Sequence, residues 1–148
     1  MSTAKKTKNI FIDGPITPER IATSIAHHQA KTDIGAHDIF LGQVRADTIE
    51  GKVVAAIDYS AHADMANAVM DAIREDTFTN YPITCMHVFH SLGTVKAGEL
   101  CLFVFTSSAH RSTCMDATRY VVERIKKELP VFGKELFPDS THVWKQNN

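Results

Sequence analysis

The run "LCLFVFTSS" at residues 100–108 constrains the fold more than any other part of the chain. Its first six residues are all apolar, and its length of nine residues is typical of a strand rather than a helix. Polar residues and a helical pattern follow it directly. The run therefore predicts a central strand of a sheet, and a chain of 148 residues is long enough to bury one.

The apolar pattern predicts four further strands, at residues 9–13, 36–45, 53–59 and 83–90. It also predicts three helices, which run from Pro18 (with Thr17 as N-cap) to about Ala30, from Ala63 to about Thr79, and from about Ser112 to Leu129. The order is βαββαββα with a short C-terminal tail. Neighbouring strands with no helix between them favour an α+β domain with hairpins over a doubly wound parallel sheet.

The remaining segments are expected to be irregular. Residues 1–8 read as a disordered tail ahead of a single domain at 9–148, and the polar segment 46–52 reads as a mobile loop.

Composition narrows the classes of partner. The 16 Lys and Arg residues nearly balance 17 Asp and Glu, which argues against bulk capture of nucleic acid but not against a local basic pocket. The three cysteines form no CxxC pair, so a reducing compartment is expected. With no signal-peptide pattern at the N-terminus and no long apolar run, we predict a cytoplasmic protein with no membrane partner.

Three groups of cations are candidates for binding an anion. His110 and Arg111 lie where the third helix begins, an end that attracts anions and is unfavourable for cations. Arg45 ends the strand "GQVR", where its forked donors suit phosphate or carboxylate. Lys126, Lys127 and Lys134 bracket a Pro-Val-Phe-Gly turn. Each group also has a simpler reading, as surface residues or as helix-end lysines that favour the dipole.

The histidines do not suggest a metal site. His87 and His90 are three apart in a predicted strand, so they point to opposite faces, and the adjacent His27 and His28 diverge on a helix. We therefore expect no metal.

Five segments in this order resemble one known family. They are "GAHDIFLGQVR" (35–45), "IDYSAHADMA" (57–66), "VFHSLGTVKAGE" (88–99), "SSAHR" (107–111) and "RIKKELPVFGKE" (124–135), followed by Trp144. The chain is similar to the large, catalytic subunits of molybdopterin synthases, the MoaE-like family, over about residues 35–145.

The resemblance implies an α/β hammerhead fold and a homodimer whose two chains each bind a small ubiquitin-like subunit, giving a heterotetramer. It implies conversion of cyclic pyranopterin monophosphate to molybdopterin. Two sulfurs would come from the thiocarboxylate at the Gly-Gly C-terminus of the small subunit, and no bound cofactor would be needed.

The resemblance also implies the site residues. Lys126 is expected to be the main catalytic residue, with Lys134 as a second. The implied substrate-binding positions are Gln43, Val44, Arg45, His110, Arg111, Lys126, Gly133, Lys134 and Glu135.

One departure from the family pattern concerns the second lysine. The position where the family carries it is Gly133 here, and Lys134 follows one residue later. We expect Lys134 to swing into the same space. The alternatives are that the second lysine is dispensable, or that the chain is a non-catalytic paralogue that only binds the partner or a phosphorylated ligand.

The spacing on the third helix suggests a shared site. Arg111 and Lys126 are separated by about 22 Å if the helix is continuous, too far for one compact pocket. The hypothesis is that His110 and Arg111 come from one chain of the dimer and Lys126 from the other.

Overall fold

The structure is a computed structural model that describes residues 7–146. The first six residues of the predicted tail lie outside the described part. Within it, three helices and nine strands follow in the order β1 Phe11–Asp13, α1 Pro18–His28, β2 Ala36–Gln43, β3 Thr48–Ile49, β4 Lys52–Val53, β5 Ala56–Ala61, α2 Ala63–Asn80, β6 Cys85–Lys96, β7 Leu100–Ser108, α3 Arg111–Glu128, β8 Val131–Leu136 and β9 His142–Trp144. None of these helices is long and apolar enough to cross a membrane.

Seven of the strands belong to one sheet with the path β2-β7-β6-β5-β8-β9, and β1 joins β6. The pairs along this path are antiparallel, and only the short β1–β6 pair is parallel. The prediction of an α+β domain built from hairpins is therefore confirmed.

Strand β7 is buried on both faces, which explains its continuous apolar run. Leu102 and Val104 pack into the main core with residues of α2 and α3. Phe103 and Phe105 point the other way, into a smaller cluster completed by Ile21 of α1. Because helices cover both faces of this strand, neither face needs polar residues.

Helix α3 is anchored to β7 by buried hydroxyl groups. Thr106 Oγ1 donates to the Cys114 carbonyl at 2.8 Å and lies 2.8 Å from Thr118 Oγ1. Ser108 Oγ accepts from the Cys114 backbone N–H at 3.0 Å. The side chain of the N-cap residue, His110, makes no capping bond. The hydroxyl contacts fix both the rotation and the start of the helix. At α1 the predicted cap is confirmed, because Thr17 Oγ1 accepts from the Arg20 N–H at 3.3 Å.

The sheet extends further than the sequence predicts. Strand β6 continues to Lys96 because it exchanges partners, pairing with β7 up to His90 and with β5 from Gly93. The predicted C-terminal tail contains β8 and β9, and the predicted 46–52 loop contains most of the β3–β4 hairpin. Short segments with few apolar residues form these strands because a neighbouring strand supplies their hydrogen bonds.

Gly35 provides a test of the packing between β2 and the end of β7. Its N–H donates to the Ser108 carbonyl at 3.0 Å, and a Cβ added here would lie 2.1 Å from the Ala109 carbonyl oxygen. The backbone must shift to admit Gly35→Ala, so we expect a loss of about 1–3 kcal/mol in the free energy of unfolding, measured by chemical denaturation.

Gly42→Ala, near the other end of β2, is the matched comparison. Its added Cβ would meet the Leu102 side chain at 3.1 Å rather than a backbone oxygen, and side chains adjust more easily. The expected loss is smaller, and an equal or larger loss for Gly42→Ala would contradict the assignment of close backbone contact to Gly35.

Candidate active site

A pocket lies where the C-terminal end of α3 crosses the β5–β8–β9 part of the sheet. A small inner cavity is bordered by Tyr59, His90, Cys101, Lys126, Gly133 and Lys145, together with apolar residues of α3 and β8. An outer cleft of about 260 Å³ shares Tyr59, Cys101, Lys126 and Lys145 with it, and it extends to the end of β2. The two therefore form one site with a narrow inner part and an open mouth.

Lys126 is positioned by the last full turn of α3. Its neighbour Ile125 is buried in the main core, which fixes the turn from which the Lys126 side chain reaches into the pocket. Lys126 as a whole residue is exposed, yet the pocket walls remove water from its ammonium group. This desolvation lowers the pKa of Lys126; Cys101 raises it, and the charge of Lys145 lowers it further.

Tyr59 and Glu135 line the outer cleft from adjacent strands. Both are buried, at 9% and 7% exposure. Burial raises the pKa of the Tyr59 hydroxyl, and the neighbouring Cys101 and Glu135 raise it further, so Tyr59 keeps its proton at neutral pH and can donate a hydrogen bond. The site thus pairs cationic groups with a buried hydroxyl and a carboxylate.

His90 borders the inner cavity as a neutral ring. Burial lowers its pKa to about 4, an effect that the nearby Lys126 charge reinforces and the backbone hydrogen bond at Ser91 opposes. Because a carbonyl can only accept, the 2.8 Å contact between Nδ1 and the Ser91 oxygen places the proton on Nδ1. The other ring nitrogen, Nε2, is then an acceptor.

The end of β2 brings a third cation to the outer cleft. Gln43, Val44 and Arg45 all line it, and the Arg45 side chain is 76% exposed. Arg45 Nε lies 3.3 Å from a carboxylate oxygen of Asp47. The fold thus brings Arg45 and Lys126 to one cleft although 81 positions separate them in sequence.

His110 and Arg111 are not part of this pocket in the single chain. Both are exposed at the N-terminal end of α3. The helix is continuous from Arg111 to Glu128, so about 22 Å separates Arg111 from Lys126 along its axis. The shared-site hypothesis assumed a continuous helix between Arg111 and Lys126, and the structure has one.

The structure does not support the expected movement of Lys134 toward Gly133. Both residues belong to β8, where successive side chains point to opposite faces of the sheet. Gly133 faces the pocket, whereas the Lys134 ammonium lies over the Trp144 ring, 5.2 Å from its centre. A lysine one position along the strand consequently points away from the space at Gly133.

Sequence reasoning missed Lys145, which lines both parts of the pocket. It follows β9, in the region predicted to be an irregular tail. It also missed His90, which lies next to Lys126 only through the pairing of β6. No local pattern marks Lys145, because "HVWK" (142–145) does not alternate between apolar and polar residues and is too short to predict a strand.

The opposite face of the sheet carries a second group of histidines. His87 and His90 point to opposite faces, as their spacing predicted, and His87 Nε2 lies 2.9 Å from His28 Nε2. Among residues 7–146, no group of three or more His, Cys, Asp or Glu side chains could hold a metal ion.

Comparison with known proteins identifies the family. The profile of the MoaE protein family matches residues 12–128. This chain belongs to the MoaE family. It is 34% identical over 113 residues to a rat (Rattus norvegicus) protein, "Molybdopterin synthase catalytic subunit", covering 76% of this chain and 56% of the relative. The chain thus spans a little over half the length of that relative.

Solved structures of this family share the fold. The molybdopterin synthase structure from Staphylococcus aureus superposes with a TM-score of 0.80 at 25% identity, covering 97% of this chain and 99% of that one. A complex of subunits 1 and 2 of the Helicobacter pylori molybdopterin-converting factor gives 0.77 at 14% identity, covering 93% and 90%. The α+β architecture of this MoaE chain is therefore that of its family.

His90 makes the stability of the protein depend on pH. The unfolded histidine takes up a proton near pH 6.5 and the folded one only near pH 4, so the unfolded chain binds more protons between these values. We expect stability to fall as pH is lowered through this window, by on the order of 2 kcal/mol for His90. Chemical denaturation at pH 7, 6, 5 and 4.5 measures it.

His90→Asn serves as the test variant, because its amide can still donate to the Ser91 carbonyl but does not titrate. It should flatten the pH dependence, whereas His27→Asn on the exposed face of α1 should not. An unchanged slope in His90→Asn would show that His90 does not set this dependence. His87, whose pKa burial also lowers to about 4, keeps its own contribution in both variants.

Proposed function

We propose that this chain is the catalytic subunit of a molybdopterin synthase, which converts cyclic pyranopterin monophosphate to molybdopterin. One observation carries the proposal: in this member of the MoaE family, Lys126, Arg45 and Lys145 all line one partly enclosed cleft. The substrate, the partner and the reaction are inferred from this chemistry together with the family.

The charges of the cleft suit both reactants. A cyclic phosphate and a thiocarboxylate are anions, and each gains most from Arg and Lys donors where water is partly excluded. Arg45 at the open mouth offers forked donors to an incoming anion, while Lys126 lies deeper. The arrangement therefore suits an anionic substrate that enters from the β2 side.

The proposed sulfur transfer needs no sulfur from the enzyme. The thiocarboxylate sulfur attacks a substrate carbon that carries oxygen, so that a C–S bond forms as a C–O bond breaks and the oxygen leaves as water or stays on the phosphate. Water then cleaves the acyl–sulfur bond, so the sulfur stays on the substrate and the donor becomes a carboxylate. Two such transfers supply the two dithiolene sulfurs. The enzyme thiol in the pocket, Cys101, is 7% exposed and donates to the Gly42 carbonyl at 3.5 Å, so it has a structural role.

Lys126 acts in the cleavage step of this proposal. Attack of water on the acyl group builds an oxyanion, and a preorganised ammonium group in a desolvated site stabilises that charge. The lowered pKa of Lys126 also makes its proton easier to transfer. Neutral His90, with Nε2 as an acceptor, is the adjacent group that can hold the attacking water by a hydrogen bond.

The partner in this proposal is a small ubiquitin-like subunit with a Gly-Gly C-terminus. The Helicobacter pylori structure contains a complex of two subunits of its converting factor, which supports a similar complex here. Two large chains, with residues 9–148 as one domain each, would form the centre of a heterotetramer. A cytoplasmic location fits, because Cys85, Cys101 and Cys114 are all free thiols.

Removing the Lys126 charge tests the catalytic role. Lys126→Met should lower the rate of molybdopterin formation by about 100-fold or more, because the oxyanion loses its charged partner. The assay supplies the thiocarboxylated small subunit and cyclic pyranopterin monophosphate, and it follows the product. Lys127→Met removes the same charge from the exposed neighbouring position and should stay within about twofold of wild type.

The outcomes separate two functions. Equal rates for Lys126→Met and Lys127→Met would refute the role of Lys126. No product from the wild-type chain would refute the enzyme and favour a paralogue that only binds its partner.

A mixed dimer tests whether the site is shared between chains. Arg111→Ala and Lys126→Ala chains with different affinity tags are co-expressed, and the dimer carrying both tags is isolated. If one chain supplies His110 and Arg111 and the other Lys126, one of the two sites contains no substitution, and about half the wild-type activity returns.

Each single-variant homodimer is the control and should remain nearly inactive. A mixed dimer as inactive as these homodimers would place all these residues in one chain's site and refute the shared arrangement.

A further inference from the structure

The register of β8 and β9 places Lys145 opposite Gly133. The strands pair Lys134 with Trp144 and Glu135 with Val143, and the Lys145 N–H donates to the Gly133 carbonyl at 2.7 Å. Alternation along the strands then sorts the residues by face. Gly133, Glu135 and Lys145 all border the pocket, while Lys134 and Trp144 contact each other on the other face.

We propose that Lys145 is a second functional lysine of the pocket, binding an anionic group of the substrate jointly with Lys126, and that Gly133 provides the space for it. This inference rests on the proposed function and adds a residue to its site.

The surroundings of Gly133 leave little room for a side chain beside Lys145. A Cβ at position 133 would lie 3.0 Å from Ile57 Cγ2, 3.3 Å from Tyr59 Cε1 and 3.6 Å from Lys145 Cβ. A larger side chain would compete with the Lys145 stem for the same side of the pocket. The absence of a side chain at Gly133 lets Lys145 pass over the strand into the cavity.

The two ammonium groups share one pocket without a direct ion pair to the protein. Within residues 7–146, neither Lys126 nor Lys145 forms an ion pair. The charge of Lys145 is close enough to lower the pKa of Lys126. Like charges held together in a partly desolvated site repel each other, and a bound anion relieves that repulsion. The pair is therefore suited to a phosphate or thiocarboxylate group placed between them.

The other titratable groups around Lys126 do not replace this role. Burial keeps His90 neutral and Tyr59 protonated at neutral pH, and Cys101 is a buried thiol. Glu135 contributes the opposite charge from β8. Among the described residues, Lys145 is the other lysine that lines the inner cavity together with Lys126.

The test compares two lysines of the same β-hairpin region in the complete complex. Lys145→Met and Lys134→Met each remove one positive charge and keep an unbranched side chain. With the thiocarboxylated small subunit and cyclic pyranopterin monophosphate, we expect kcat/KM to fall about 10- to 100-fold in Lys145→Met, because a charge-assisted contact is lost. Lys134→Met should have a much smaller effect, and Lys145→Arg should recover part of the activity.

The pH profile supplies a second measurement that a purely structural role would not change. Removing the Lys145 charge should raise the pKa of Lys126. The part of the pH profile of kcat/KM that follows the ionisation of Lys126 should therefore move to higher pH in Lys145→Met. In Lys134→Met, whose ammonium lies on the other face, that part of the profile should stay in place.

The results separate this inference from the proposed function. Suppose that the wild-type complex is active. If kcat/KM of Lys145→Met then stays within about twofold of wild type, or if Lys134→Met loses as much activity as Lys145→Met, the role of Lys145 is overturned and the proposed function stands. An inactive wild-type complex would overturn the proposed function itself. Thermal unfolding of each variant confirms that the compared proteins are folded.

Discussion

The burial of β7 on both faces is the constraint on which the rest of the structure depends. Its side chains alternate between a core shared with α2 and α3 and a smaller cluster beneath α1. A strand of this kind can only be stable at the centre of a sheet with helices on both sides. The hydroxyl contacts of Thr106 with Cys114 and Thr118 then fix α3 against it, so the helix cannot rotate.

The position of the pocket follows from that fixed helix. Because α3 is held at its start and along its buried face, its last turn lies over β5 and β8, and Lys126 points between them. Apolar residues of the same turn exclude water from one side of the ammonium group. The result is a cation that is reachable from outside and yet poorly solvated, a combination suited to binding and stabilising negative charge.

The edge of the sheet completes the chemistry. Strands β8 and β9 add only a few residues, but they bring Glu135 and Lys145 to the face that Lys126 covers. A glycine in β8 leaves room for the stem of Lys145. The charges of the pocket therefore come from the end of a helix and from the last two strands of the sheet, while the open mouth is formed by the end of β2.

The sequence by itself determined the elements whose pattern is long or strongly apolar: the central strand, the three helices, the Thr17 cap and the α+β class. It also identified Lys126 and Arg45 as candidates for one site. Only the tertiary structure decided that β8 and β9 are strands, because their hydrogen-bonding partners lie far away in sequence and their own apolar patterns are short. It likewise decided that Lys145, and not Lys134, lines the pocket. Strand alternation turns Lys134 toward Trp144, and cross-strand register, which no local pattern encodes, places Lys145 beside Gly133.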